Sequence, residues 1–161
     1  MIKLTITLLS ASLSVSAFAA QNAEKSVTLD KIPAAAAKSL KEHAGGAKIT
    51  NLSEEKDAGK VVYEARFTAK GHIHEITVDA NGKLMSDEQV IALAESPDPV
   101  RAAIGKEAAG GKVDKLEHIT EGGKVFYEAL ISTKGKREEV KFGRDGKVLA
   151  RENKTGSKGN D

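Results

Sequence analysis

The sequence predicts an α+β fold: two tandem repeats, each a helix packed on a three- or four-stranded antiparallel sheet. Three observations predict it. The chain matches itself without a gap at an offset of 64, as when Tyr63-Glu64-Ala65 returns as Tyr127-Glu128-Ala129. Each copy opens with an apolar stripe of helical period between prolines and a Gly-Gly pair. Each then continues in alternating stretches separated by turn-forming residues.

The match is extensive. Pro33 falls on Pro97, Leu40 on Ile104, Gly46 on Gly110, Gly59-Lys60-Val61 on Gly123-Lys124-Val125, and Gly82-Lys83 on Gly146-Lys147. Internal repetition of this kind marks duplicated supersecondary units. The units are placed at 20–88 and 89–151. Residues 1–19 precede them: Lys3, an apolar core from Leu4 to Val15, and Ala17-Phe18-Ala19 have the order of a secretory signal peptide. That core is shorter than the ~20 residues a membrane-spanning helix needs. Residues 152–161 are polar and are expected as a disordered tail.

In the first unit, Pro33 stands where a missing N–H is harmless. Ala36, Leu40 and Ala44 share a helix face, and Gly45-Gly46 ends the helix. In the second, Val100, Ile104 and Ala108 form the stripe between Pro97-Asp98-Pro99 and Gly110-Gly111. Strands are expected at 48–56, 60–69, 72–79 and 83–90, and again at 112–120, 124–133, 136–143 and 147–152. The turns between them hold Ala58-Gly59, Lys70-Gly71, Asn81-Gly82 and Asp145-Gly146.

Pairing across the Lys70-Gly71 turn assigns the faces of the first hairpin. Val61, Tyr63, Ala65, Phe67, His72, His74, Ile76 and Val78 face the helix. Glu64, Arg66, Thr68, Glu75, Thr77 and Asp79 face water or a partner. In the second hairpin Tyr127, Ala129, Ile131, Val140 and Phe142 face inward, and Phe126, Glu128, Leu130 and Glu139 outward. His72 and His74 answer to Lys136 and Glu138, so they are expected at a wet rim.

Composition narrows the function. Lys and Arg number 25 against 23 Asp and Glu, interspersed rather than in blocks, which argues against a nucleic-acid surface or a polybasic membrane surface. With no cysteine, neither a disulfide nor a thioether-linked lipid anchor can form. No nucleophile–histidine–acid order, phosphate loop or calcium loop presents itself, so no catalytic residue and no cofactor is assigned. Glu64 and Glu128 are carboxylates on a wet face, and a cross-strand Arg66–Glu75 ion pair is expected beside them. Phe126 and Leu130 form an apolar strip on that face. His72 and His74, ~7 Å apart on one side of a strand, can share a divalent metal. A third ligand would come from elsewhere, such as His43 or His118.

Residues 27–85 and 91–149 resemble the PepSY-like domain family: a proline-initiated helix, a glycine stop, a strand, a Tyr-Glu-Ala strand, and a strand ending in Asn-Gly-Lys or Asp-Gly-Lys. The resemblance implies exported bacterial modules with a helix on an antiparallel sheet, some of which restrain proteases as parts of propeptides. It carries no catalytic residues. The tandem arrangement is similar in fold to the β-lactamase inhibitory protein. The expectation is therefore a periplasmic or secreted, non-enzymatic binding or regulatory module without a membrane anchor once the leader is cleaved. It would take an unknown protein or peptide on Glu64, Arg66, Glu75, Glu128, Leu130 and Glu139. The alternative is an envelope metal-binding or metal-sensing protein that uses His72 and His74.

Overall fold

The structure, a computed structural model, describes residues 24–154. The leader at 1–19 and positions 155–161 of the expected tail lie outside the described residues. The elements run β1 (Lys25–Ser26), α1 (Ala34–Ala44), β2 (Ile49–Asp57), β3 (Lys60–Ala69), β4 (His72–Asp79) and β5 (Leu84–Val90). A 3-10 turn (Leu93–Glu95), α2 (Asp98–Ala108), β6 (Lys112–Glu121), β7 (Lys124–Thr133), β8 (Lys136–Gly143) and β9 (Val148–Asn153) follow.

All nine strands form one antiparallel sheet in chain order. This corrects the expectation of two separate helix-on-sheet units: the molecule is one nine-stranded sheet carrying two helices, and strand predominates. The joining contact is a ladder between Ser86–Val90 of β5 and Glu117–Glu121 of β6. Two independent sheets would each leave a further edge of unpaired N–H and C=O groups, an invitation to aggregate. Pairing β5 with β6 removes both. The boundary expected between 88 and 89 thus falls inside a strand. The expected tail also begins later, because Glu152 and Asn153 belong to β9 and the Lys154 N–H donates to the Arg137 carbonyl at 2.8 Å.

Local chemistry sets the elements. Pro33 precedes α1 in an extended conformation, and Gly45 closes it in the left-handed region, its N–H shared between the Lys41 and Glu42 carbonyls at 3.2 Å each. Four hairpins turn on two residues, Ala58-Gly59, Lys70-Gly71, Gly122-Gly123 and Lys134-Gly135. Both φ angles are positive in each, from 46° to 85°. That geometry matches the twist of the flanking strands and fixes their register.

Alternation then sorts the side chains. Under α1, Ala36, Leu40 and Ala44 meet Leu52, Tyr63, Ala65, Phe67, Ile76 and Val78. Under α2, Val100 and Ile104 meet Leu116, Tyr127, Ala129, Ile131, Val140 and Phe142. The register runs Phe67–His74–Gln89–His118–Tyr127 from β3 to β7, so both cores lie on the same side of the sheet. Each large apolar side chain buried there contributes roughly 1.5–3 kcal/mol. The opposite face is left open by both helices. Two valines keep their expected faces but not the exposure those faces imply. Val61, at the strand end, is 37% exposed, whereas Val62, on the open face, is buried at 4%.

The β4–β5 turn docks on α1. The Asp79 carboxylate accepts from the N–H groups of Asn81 and Lys83, both at 2.9 Å. A Cβ on Gly82 (φ +79°) would stand 2.5 Å from the Ala35 carbonyl oxygen. Gly82→Ala is therefore expected to destabilise the fold by about 2–3 kcal/mol, from steric clash added to left-handed strain. Gly59→Ala, at the same φ with nothing near its Cβ, should cost only about 1 kcal/mol. Urea denaturation of the two variants measures the difference.

Candidate functional site

Strand alternation and the β5–β6 ladder together gather glutamates on the open face; six of them stand in a row near the middle of six consecutive strands, with Glu55 (β2) and Glu121 (β6) nearer the rim of the same face. The row is Glu64 (β3), Glu75 (β4), Glu88 (β5), Glu117 (β6), Glu128 (β7) and Glu139 (β8). Arg66 pairs with Glu75, Glu75 with Glu88, Glu117 with Glu128, and Leu130 with Glu139. Carboxylate oxygens of Glu75, Glu88 and Glu117 lie within 4.8 Å of one another, as do those of Glu117, Glu128 and Glu139. Oxygen-only groups of this kind suit hard cations.

Cations answer some of these charges. Arg66 Nη1 is 2.8 Å from Glu75 Oε1, the ion pair the sequence predicts. Lys115 Nζ is 2.8 Å from Oε1 of the buried Glu117, and Lys154 Nζ is 2.6 Å from Glu139 Oε2. Lys141 reaches Glu121 at 3.6 Å and sits 4.5 Å above the Phe126 ring. Glu64, Glu88 and Glu128 form no ion pair among the described residues.

Those three carboxyls are pushed up to about 7. Burial is the largest cause for each. Glu55, Glu75 and Glu24 then add to the rise at Glu64 against Arg66. Glu117, Glu64 and Glu75 add to it at Glu88 against Lys115. At Glu128 the Glu139 charge and hydrogen bond come next, and Lys141 opposes them. Beside Glu88 and Glu128 lies a depression of about 630 Å³, lined among others by Val62, Thr77, Met85, Ser86 and Ile119. Val62 and Ile119 are each only 4% exposed. They give the acidic face a small apolar floor.

All six residues singled out from the sequence, Glu64, Arg66, Glu75, Glu128, Leu130 and Glu139, lie on this face. The expectation that Glu64 and Glu128 stand on a wet face is corrected, since both are half-buried; neither has an ion pair, and Glu128 shares a hydrogen bond with Glu139. Glu88 and Glu117 were not singled out. The strand parity of β6 places Glu117 opposite the core residue Leu116, but only the β5–β6 register shows that Glu88 stands between it and Glu75.

His72 and His74 face the other way, toward the helices, and are half-buried rather than at a wet rim. His72 Nδ1 lies 3.0 Å from the Val90 carbonyl and its Nε2 3.4 Å from Glu95. His74 Nδ1 lies 3.1 Å from Asp87, and its ring stacks on Phe67 at 5.4 Å. His118 packs edge-on against Tyr127. Among the described residues, no group of three ligand atoms close enough to share a metal includes a histidine.

A strand meander with helices on one face and a carboxylate-rich open face defines the class. No protein-family model and no curated protein matches the chain. Solved structures do. A DUF2874 family protein of Bacteroides ovatus is 16% identical, with 77% of this chain and 89% of that one covered at a TM-score of 0.64. A protein of Bacteroides eggerthii assigned to the periplasm is 17% identical, with 76% and 88% covered at 0.65. A BLIP-like protein of Bacteroides fragilis is 19% identical, with 81% and 92% covered at 0.63. The likeness is one of fold. It agrees with the fold analogy to the β-lactamase inhibitory protein, while the PepSY-like name rests on the sequence pattern alone.

The raised carboxyls set a pH dependence. Unfolded, they release protons near the ordinary glutamate value of 4.5; folded, near 7. Between those values the folded state holds more protons, so these groups make stability fall as pH rises through the interval. Thermal melts should show a higher Tm at pH 5.5 than at pH 8. Glu88→Gln should raise Tm at pH 8 by a few degrees, by less at pH 5.5, and change it little at pH 4.

His74→Ala removes a ring from Phe67 and a partner from Asp87. It is expected to cost about 1–3 kcal/mol of stability and to leave Zn²⁺ titrations by calorimetry unchanged. Micromolar Zn²⁺ binding abolished by the substitution would instead assign the histidines to metal.

Proposed function

We propose that the protein is an exported, non-enzymatic binding module whose open sheet face docks another protein or peptide. The observation that carries this is a whole sheet face that neither core uses, on which half-buried carboxyls stand without cations. A fold gains no stability from such crowding, so a role outside the fold accounts for it better. The leader-like residues 1–19 support export. So does the fold likeness to a protein assigned to the periplasm. The BLIP-like neighbour supports a protein as the docked partner. Restraint of a protease, in the manner of the PepSY-like domains the sequence resembles, is the finer form of this proposal.

A photo-crosslinking amino acid at Thr77, on the open face, is expected to trap a partner in the cells that export the protein. The same group at Lys38, exposed on α1, should trap none. Adducts from Lys38 alone would place docking on the helices and overturn the proposal.

A further inference from the structure

We infer that the occupant of the open face is a polypeptide segment presenting lysine or arginine side chains to Glu64, Glu88 and Glu128, an inference that rests on the docking role proposed above. The first argument is charge. The chain as a whole is close to neutral, with 25 Lys and Arg against 23 Asp and Glu. The open face nevertheless carries the central row Glu64, Glu75, Glu88, Glu117, Glu128 and Glu139, and only Arg66, Lys115 and Lys154 are bonded to that row. Three carboxyls are left for cations from outside.

The second argument is burial. A half-buried carboxylate without an ion pair has lost part of its hydration, and the cations Arg66, Lys115 and Lys141 nearby offset that loss only in part. An incoming cation restores that loss in a medium where charge attraction is stronger than at an open rim. The third is shape. The depression offers Val62, Met85 and Ile119 to the methylene stem of a lysine or arginine and Glu88 and Glu128 to its charged head.

Metal ions do not meet the same need: the two three-carboxylate groups take in Glu88 and Glu128 but not Glu64, and they share Glu117, already bonded to Lys115. Glu64, Glu88 and Glu128 stand on alternate strands, roughly 10 Å apart, too far for one ion to join. Successive side chains on one face of an extended segment are ~7 Å apart, and the flexible stems of lysine or arginine reach the remaining distance.

Protons compete with such a ligand. Glu64 faces Glu24, Glu55 and Glu75 with Arg66 opposed; Glu88 faces Glu64, Glu75 and Glu117 with Lys115 opposed; Glu128 faces Glu117 and Glu139 with Lys141 opposed. Their carboxyls titrate at about 7. Binding a cation releases the proton, so affinity rises with pH through neutrality.

The test is fluorescence anisotropy with a labelled, alternating Lys-Thr decapeptide and a Glu-Thr control on the full exported chain at low salt. The Lys-Thr peptide is expected to bind and the control not. Affinity should fall at least about tenfold from pH 8 to pH 6. The double variant Glu88→Gln/Glu128→Gln should lose at least about tenfold as well. Glu42→Gln/Glu54→Gln, with the same change of net charge away from the open face, should stay within about twofold. Failure of the Lys-Thr peptide to bind, equal binding of both peptides, or equal losses in the two double variants would overturn the inference. Adducts from the Thr77 cross-linker alongside such a failure would leave docking intact and refute only its cationic occupant. An absence of adducts would refute docking itself.

Discussion

Pairing of Ser86–Val90 with Glu117–Glu121 is the contact on which the rest of the molecule depends. It makes one sheet where two would otherwise expose further edges. It aligns the strand faces on either side, so that both cores fall under helices on one side and the glutamates fall together on the other. Glu88 reaches Glu117 only through this ladder, and the two carboxylate groups of the open face share Glu117. Fold and candidate site are thus set by the same five-residue register.

The two faces are built on opposed physical terms. On the helix side, side chains such as Phe67, Phe142, Leu40 and Ile104 lie almost fully out of water, and burial drives assembly. On the open side, burial acts on carboxyls and works against their ionisation. Lys115 beneath Glu117 and Arg66 on Glu75 relieve part of that cost. The remainder is a standing expense in stability that peaks where the carboxyls are ionised. Ion pairs at exposed positions, such as Lys38–Glu42 on α1, are worth little by comparison.

Much of this was legible in the sequence, for identifiable reasons. Strand limits at 60–69, 72–79, 124–133 and 136–143 follow from two-residue turns and period-two alternation, both local. The inward set Tyr63, Ala65, Phe67, Ile76 and Val78 and the Arg66–Glu75 pair follow from register across one turn. What escaped was non-local. "LMSDEQV" does not reveal what lies on its far side, so the single sheet and the place of Glu88 were hidden. β1, of two residues, and the 3-10 turn are too short to leave a period. The burial of Val62 depends on a depression shaped by β5 and β6. The histidines were read at a rim because their counterparts are Lys136 and Glu138. In the structure they are held instead by Val90, Glu95 and Asp87 beyond the hairpin.

The strictly sequential strand order also bears on how the chain folds. Most pairings join neighbours across a two- to four-residue turn, so loop-closure entropy is small and hairpins can zip independently. The β5–β6 pairing must span the 3-10 turn and α2, and β1–β2 must span α1. Those are the slow closures, and like charges approach at the first of them. Loop-closure entropy therefore predicts that the junction of Glu88 with Glu117, which joins the acidic halves carried by the flanking hairpins, forms after those hairpins.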